Sequence, residues 1–284
     1  RLRPKGSSLD VRRPDLSRLA SVSIDLDGVR HYRAIHGLPP VLGEDPFLRD
    51  GLTRFLELCD AVGLRATLFV VTADLADTEL AELLRQAHVA GHELASHSHV
   101  HDYGMSRWAS TSLNADLGDS VAALEALTGV APRGFRAPGY NLSEPLLDAV
   151  ELAGLSYDAS LLPSPAYWGA RSLLIGLKAI GRKPSSSLVG KLGAFRPQRG
   201  PFRMRHKSRR NTRVYRNLVE LPMTAPFGVP WIGTTVVGSE RMGGRLTHAA
   251  LKAKKPIDLE LHPIDCTDEG CVDADLLAAR RDLQ

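Results

Sequence analysis

Short apolar, β-branched or aromatic runs alternate with stretches of helical periodicity along most of the chain, and few folds accommodate that order. Leu19 to Leu26 reads as a strand. Phe47 to Val62 carries apolar residues at helical spacing and stops at Gly63, a residue suited to the left-handed cap position. Arg65 to Val71 is the next strand. A helix from about Leu75 to Ala90, a short strand from His92 to Ala95, a helix from Thr111 to Leu127 closed by Gly129 and a strand over Gly134 to Arg136 continue the rhythm. Ser143, followed by Glu144 and Pro145, predicts a helix start, because a serine N-cap satisfies a free N–H and an early proline removes one. Leu155 to Tyr157, Leu218 to Leu221 and Ile257 to Leu261 are strand-like, with helices from roughly Arg245 to Lys254 and from Asp273 to Leu283. The alternation predicts an α/β fold with a parallel sheet or barrel, its functional loops at the carboxyl ends of the strands. At 284 residues and 43% hydrophobic content the chain is long enough for one large domain or two small ones.

One segment breaks the pattern, from about Leu161 to Arg216. Its early part, Pro165 to Lys183, has an aromatic start at Tyr167 and Trp168, an apolar middle and a basic end at Arg182 and Lys183. That stretch is too short to span a bilayer, but its layout suits a helix lying in a membrane interface, or one packed over the barrel. From Arg196 to Arg216, Arg196, Arg199, Arg203, Arg205, Lys207, Arg209, Arg210, Arg213 and Arg216 meet no acidic residue, within a net charge of +4. A solvated loop is the ordinary reading of such a run, and contact with phosphate or an anionic membrane surface is the next. Nucleic acid is not expected, because no aromatic interleaving or binding motif accompanies the charge. Cys59, Cys266 and Cys271 are odd in number and argue against a disulfide framework. With no signal peptide visible, a cytoplasmic protein, peripheral to the membrane if the interfacial segment binds there, is expected.

Four of the ten histidines fall between Gly91 and His101, and Asp25-Leu26-Asp27-Gly28 ends the first strand. His97 and His101 are four apart, so on a helical turn both rings would leave one face, and a carboxylate from another element could complete a facial triad with open coordination positions. Asp27, His97 and His101 are the candidate ligands of a divalent metal ion, zinc first, with iron, cobalt or nickel compatible with the same donor set. Such an ion acidifies bound water and polarises a carbonyl. Asp25, two residues before Asp27 and so on the same side of the strand, is placed to take the water's proton.

The ordered set Ser23-Ile24-Asp25-Leu26-Asp27-Gly28, His97-Ser98-His99-Val100-His101, Arg136-Ala137-Pro138-Gly139-Tyr140, Tyr157-Asp158-Ala159-Ser160 and Leu261-His262-Pro263 resembles the polysaccharide deacetylase, or NodB-homology, family (carbohydrate esterase family 4). The resemblance implies a distorted (β/α) barrel over 21–284, with a long insert at about 161–216, after a basic N-terminal extension over 1–20. It also implies metal-dependent hydrolysis of an N-acyl, sometimes O-acyl, group on a sugar. On this likeness Arg136 orients Asp25 and a backbone N–H near Gly139 or Tyr140 helps bind the oxyanion. His262 is the general acid, and Asp158 raises its pKa, a task for which Glu260 and Asp265 are also placed. The chain departs from the family in having Leu26 between the aspartates, which leaves the base and ligand roles of Asp25 and Asp27 open to exchange, and Gly139 before Tyr140. The leading expectation is a deacetylase acting on an acylated sugar, polysaccharide or glycolipid. The alternatives are a deformylase or deacetylase of a polyprenyl-phosphate-linked aminosugar at the membrane surface, and a non-catalytic carbohydrate-binding barrel. The sequence leaves the oligomeric state open.

Overall fold

Strands rich in branched apolar residues on both faces need helices on either side of them, and a parallel sheet supplies that cover. A computed structural model describes residues 19–39, 45–180, 200–207, 212–253, 255–268, 272 and 274–279. Residues 1–18, and Arg196, Arg199, Arg209 and Arg210 of the basic run, lie outside the described residues. The strands are β1 (Ala20–Asp25), β2 (Thr67–Val70), β3 (Glu93–Ser96), β4 (Gly134–Phe135), β5 (Tyr157–Asp158), β6 (Phe202–Lys207), β7 (Thr212–Glu220) and β8 (Ile257–Leu261). They form one sheet in the order β6-β7-β5-β4-β3-β2-β1-β8, in which only the β6–β7 pair is antiparallel.

The helices are α1 (Val29–His36), α2 (Pro46–Ala61), α3 (Thr78–Val89), α4 (Ser110–Thr128), α5 (Glu144–Leu152), α6 (Pro165–Ile180), α7 (Gly233–Val237), α8 (Glu240–Lys252) and α9 (Ala274–Ala279). Ile24, Leu68, Val70 and Leu94 of the sheet pack with Leu48, Leu52, Phe55, Leu80 and Leu84 of α2 and α3. Phe135, Tyr215 and Leu218 pack with Leu113 and Leu117 of α4 and Leu146, Leu147 and Val150 of α5 in a second cluster. Ser143 caps α5 as its position predicts, accepting a hydrogen bond from the Leu146 N–H at 3.3 Å.

The structure departs from the expected elements where polar caps decide. The helix expected from Leu75 is divided into a 3-10 turn over Thr72–Ala76 and α3, because Asp77 accepts from the N–H groups of Glu79 and Leu80 and restarts the helix. Ser239 caps α8, which therefore begins ahead of Arg245. α1 was not expected. It is a short helix closed by Gly37 at φ 70°, and the Asp45 carboxylate both accepts from the Val29 N–H at 2.6 Å and caps α2. A Cβ at Gly28 would stand 2.5 Å from Asp45 Oδ2, so the glycine of the Asp-Leu-Asp-Gly run permits that approach.

The fold is the expected distorted barrel. Leu161 to Arg216 supplies α6, β6 and most of β7, so the insert adds an edge to the sheet. Between β7 and β8 an irregular segment closes the gap. Met223 N–H donates to Leu161 O at 2.9 Å, Thr224 Oγ1 accepts from the Asp258 N–H at 2.8 Å, and Ile232 bridges Glu260.

Candidate active site

Register gathers the site at one end of the sheet. Ile24 faces Leu261 and Asp25 faces Phe69, while Ser96 faces Phe135, so the next residues along these strands, among them His97, Arg136 and His262, emerge together at the carboxyl ends. Asp27 lies beyond β1 rather than on it. Its N–H turns back to the carbonyl of Asp25 at 2.9 Å, so a turn, not the alternation of a strand, brings the two aspartates to one region.

His97 and His101 share no helix either. They sit in a loop after β3 in which Ser98 (φ 67°) and His101 (φ 55°) adopt the left-handed conformation, costly for residues with a Cβ. Polar groups hold it. The Asp116 carboxylate on α4 accepts from the N–H groups of His99 and Val100 at 2.9 and 3.1 Å, and Ser98 Oγ accepts from the His101 N–H at 2.9 Å. His99 reaches Thr72 Oγ1 and His92 accepts from the Ala66 N–H, which leaves both outside the centre.

Within that loop the distances are those of a donor set. Asp27 Oδ1 lies 2.9 Å from His101 Nε2 and 3.4 Å from His97 Nε2, and the two Nε2 atoms are 3.2 Å apart. A tetrahedral ion with bonds of about 2.0–2.1 Å holds its ligand atoms roughly 3.3 Å apart. His97 donates from Nδ1 to the carbonyl of Arg136 at 2.7 Å, so its Nε2 carries a lone pair toward the carboxylate. Buried lone pairs facing one another repel unless a cation or a proton lies among them. In keeping with that, Asp27 Oδ1 has no hydrogen-bond partner among the described residues. Burial works to raise the pKa of Asp27, but His101 and then His97 hold it well below the usual carboxylate range. Burial likewise works to lower His97, and Asp25 and Asp27 push it up instead, so a proton can take the cation's place and would leave as an ion binds.

Asp25 stands apart from this set. Its Oδ1 accepts from Arg136 Nη1 at 2.6 Å, and Oδ2 lies 3.8 Å from His97 Nε2. Arg136 is 1% exposed and also donates to Ala159 O, Ser23 Oγ and Asp258 Oδ2, with its guanidinium 4.1 Å above the Phe69 ring. Burial opposes its charge, yet Asp25, Asp258 and Glu260 raise its pKa further.

His262 closes the other side, with Nε2 3.8 Å from Asp27 Oδ2 and its side chain 18% exposed, against 1% for Asp25 and His97. Among the alternatives for its partner, Glu260 occupies the place. Glu260 Oε1 lies 3.0 Å from His262 Nδ1 and also accepts from the Tyr140 hydroxyl at 3.0 Å, whereas Asp265 Oδ2 is 3.9 Å away. Burial acts to lower the pKa of His262, and Glu260, then Asp27 and Asp25, lift it to about 9. Asp158 is not brought to His262 in this way. Its carboxylate accepts from Ser160 Oγ at 2.5 Å on β5, and its nearest acidic neighbour is Glu220.

Tyr140 differs from the expectation in one respect. Its N–H is spent on the carbonyl of Ala137 at 2.8 Å, within a turn in which Gly139 (φ 58°) and Tyr140 (φ 62°) are both left-handed, and its phenol points to Glu260. Sequence reasoning missed His31, whose Nδ1 is 3.1 Å from His101 Nδ1, and Asp258 beside Arg136. The bracket of Gly28 and Gly37 around α1 was the available signal for the first.

The fold and site define the protein as an α/β barrel with carboxylates, imidazoles and a buried arginine at the carboxyl ends of its strands. Residues 44–157 match the model of the polysaccharide deacetylase family, the family that the motifs resemble. A crystal structure of a Mycobacterium smegmatis protein assigned as a polysaccharide deacetylase is similar at 18% identity, covering 89% of this chain and 79% of that one with a TM-score of 0.56. The structure of Puue allantoinase is similar at 18% identity over 95% of this chain and 84% of its own, with a TM-score of 0.54. At that identity both likenesses speak to the fold alone. No curated protein matches the chain.

Proposed function

We propose that the protein is a metal-dependent deacetylase that removes an N-acyl group from a sugar in a polysaccharide or glycolipid. The observation that carries this reading is the convergence of Asp27 Oδ1, His97 Nε2 and His101 Nε2 to within 3.4 Å of one another, with Asp25 and His262 on either side. A divalent ion held by the three, zinc first and iron, cobalt or nickel next, would supply the acidity that water needs and the polarisation that an acyl carbonyl needs. Asp25, oriented by Arg136, takes the proton of the attacking water. His262, with Nδ1 engaged by Glu260, presents Nε2 to the site and protonates the leaving amine. Support also comes from the family match over 44–157.

The test is metal analysis of the purified protein coupled to a mass-spectrometric screen of acylated sugars and glycolipids. Loss of one acyl group, abolished by a chelator and restored by a stoichiometric ion, is the expected result. A metal-loaded protein that deacylates nothing in the screen, while still retaining those sugars, would identify a carbohydrate-binding barrel instead.

One observation favours a lipid-linked substrate. α6 is anchored by its first turns, where Trp168 Nε1 donates to Leu162 O and Arg171 Nη1 to Gly139 O, but Leu173, Leu174, Leu177 and Ile180 farther along are all more than half exposed. Pro165, which opens α6, also lines a cavity of about 1330 Å³ together with Met223, the exposed Phe227 and Arg241, Arg245 and Lys252 of α8. A lining that mixes apolar and cationic side chains suits a lipid tail and its phosphate. No helix among the described residues is long and apolar enough to cross a membrane. Co-sedimentation with phosphatidylglycerol vesicles but not phosphatidylcholine vesicles, lost in Leu174→Glu/Leu177→Glu, is expected. Equal indifference to both vesicles removes this second reading and leaves the first untouched.

A further inference from the structure

His31 lies on α1, close after Asp27 in the chain, and is 7% exposed. Its ring centroid is 4.1 Å from that of His101, the planes are inclined at 56°, and the two Nδ1 atoms stand 3.1 Å apart. Two ring nitrogens at that distance share one proton, so one ring donates and the other accepts. The other nitrogen of His101 decides which. His101 turns Nε2 to Asp27 Oδ1 and His97 Nε2, so Nε2 is the ligating atom and the proton of a neutral His101 belongs on Nδ1. His31 must then offer a lone pair at Nδ1 and carry its own proton on Nε2, an atom with no hydrogen-bond partner among the described residues.

The companion ligand solves the same problem with backbone, since the carbonyl of Arg136 receives the His97 Nδ1–H at 2.7 Å. Partners of this kind fix the tautomer and the ring plane of a ligating histidine. We propose that His31 is a positioning residue for the metal centre: it accepts the Nδ1 proton of His101 and so holds Nε2 of that ring toward the ion. The inference rests on the metal-site reading above. It makes α1 part of the centre, because the Asp45 carboxylate that anchors the start of α1 also fixes where His31 meets His101.

The test measures zinc affinity by competition with a chromophoric chelator, and the visible spectrum of the cobalt-loaded protein, in wild type, His31→Leu and His31→Asn. Leucine fills much of the space without an acceptor, whereas the asparagine Oδ1 takes the place of Nδ1. Loss of the acceptor is expected to weaken zinc binding about 10- to 100-fold and to shift the cobalt bands, and asparagine is expected to recover most of the loss. If the leucine variant does not fold, His31→Phe, a ring of similar shape that likewise offers no acceptor, replaces it with the same expectation. Unchanged affinity without the acceptor overturns the proposal. Equal losses with and without it do so too, because they assign the effect to packing. A wild-type protein that binds no divalent ion stoichiometrically fails the metal-site reading itself, a result distinguishable from either.

Discussion

Asp27→Asn is expected to release the proposed divalent ion, whereas Asp25→Asn is expected to keep it and lose turnover. Two aspartates separated by Leu26 could exchange roles on sequence alone, and the distances separate them. Asp27 Oδ1 is within 3.4 Å of both ligating imidazole nitrogens, while Asp25 approaches only His97, at 3.8 Å, and spends its nearer oxygen on Arg136. An amide at position 27 keeps an oxygen but forfeits the charge that two neutral imidazoles leave to the carboxylate, so affinity collapses. An amide at position 25 still accepts from Arg136 but has no basicity, and loss of a general base costs about 10²- to 10⁴-fold in kcat. Metal content after dialysis and kcat on the substrate found by the screen, measured on both variants, check the assignment. Retention of metal by Asp27→Asn with its loss from Asp25→Asn would reverse the two roles, and wild-type turnover in Asp25→Asn would leave the base unassigned.

How much of this centre a linear reading can reach depends on what holds each residue. Asp25, His97, Arg136 and His262 were legible because they end or directly follow strands whose apolar runs are unambiguous, and parallel register brings strand ends together without further instruction. The geometry of the His97–His101 pair was not. A four-residue spacing suggests a helical face, yet here it is realised by two left-handed residues that Asp116 and Ser98 stabilise from outside the motif. The partner of His262 was illegible for a similar reason. Asp158, Glu260 and Asp265 are equivalent in composition, and only the course of β8, which sets Glu260 two residues before His262 and under the Tyr140 hydroxyl, distinguishes them. α1 was missed because eight residues carrying His31, Tyr32 and Arg33 on their buried side include few apolar ones; its start is anchored by Asp45, seventeen residues beyond Gly28 in the chain, and Tyr32 packs with Phe47, Ile264 and Leu276 from distant segments.

Arg136→Met is expected to produce the largest loss of stability of any single change at the site. The guanidinium is 1% exposed and satisfies the carboxylates of Asp25 and Asp258, the hydroxyl of Ser23 and the carbonyl of Ala159 at 2.6–3.2 Å. Methionine preserves contact with the Phe69 ring, over which the guanidinium lies, but leaves the buried carboxylate of Asp25 and the partly buried one of Asp258 without their cation. Removing one partner from a buried ion pair costs about 3–5 kcal/mol, because the remaining charge is desolvated and unpaired. For a domain of this size that lowers the thermal midpoint by on the order of 10 °C. Arg136→Lys should fall between the two, since one ammonium keeps the charge but cannot span four acceptors held in a planar fork. Adding Asp258→Asn to Arg136→Met should restore part of the loss, because one of the stranded charges is then gone and the two sites are directly coupled. Thermal unfolding of the metal-free proteins measures all four. A methionine variant within about 0.5 kcal/mol of wild type would mean that water already satisfies these carboxylates, and Arg136 would then orient Asp25 without holding the barrel end together.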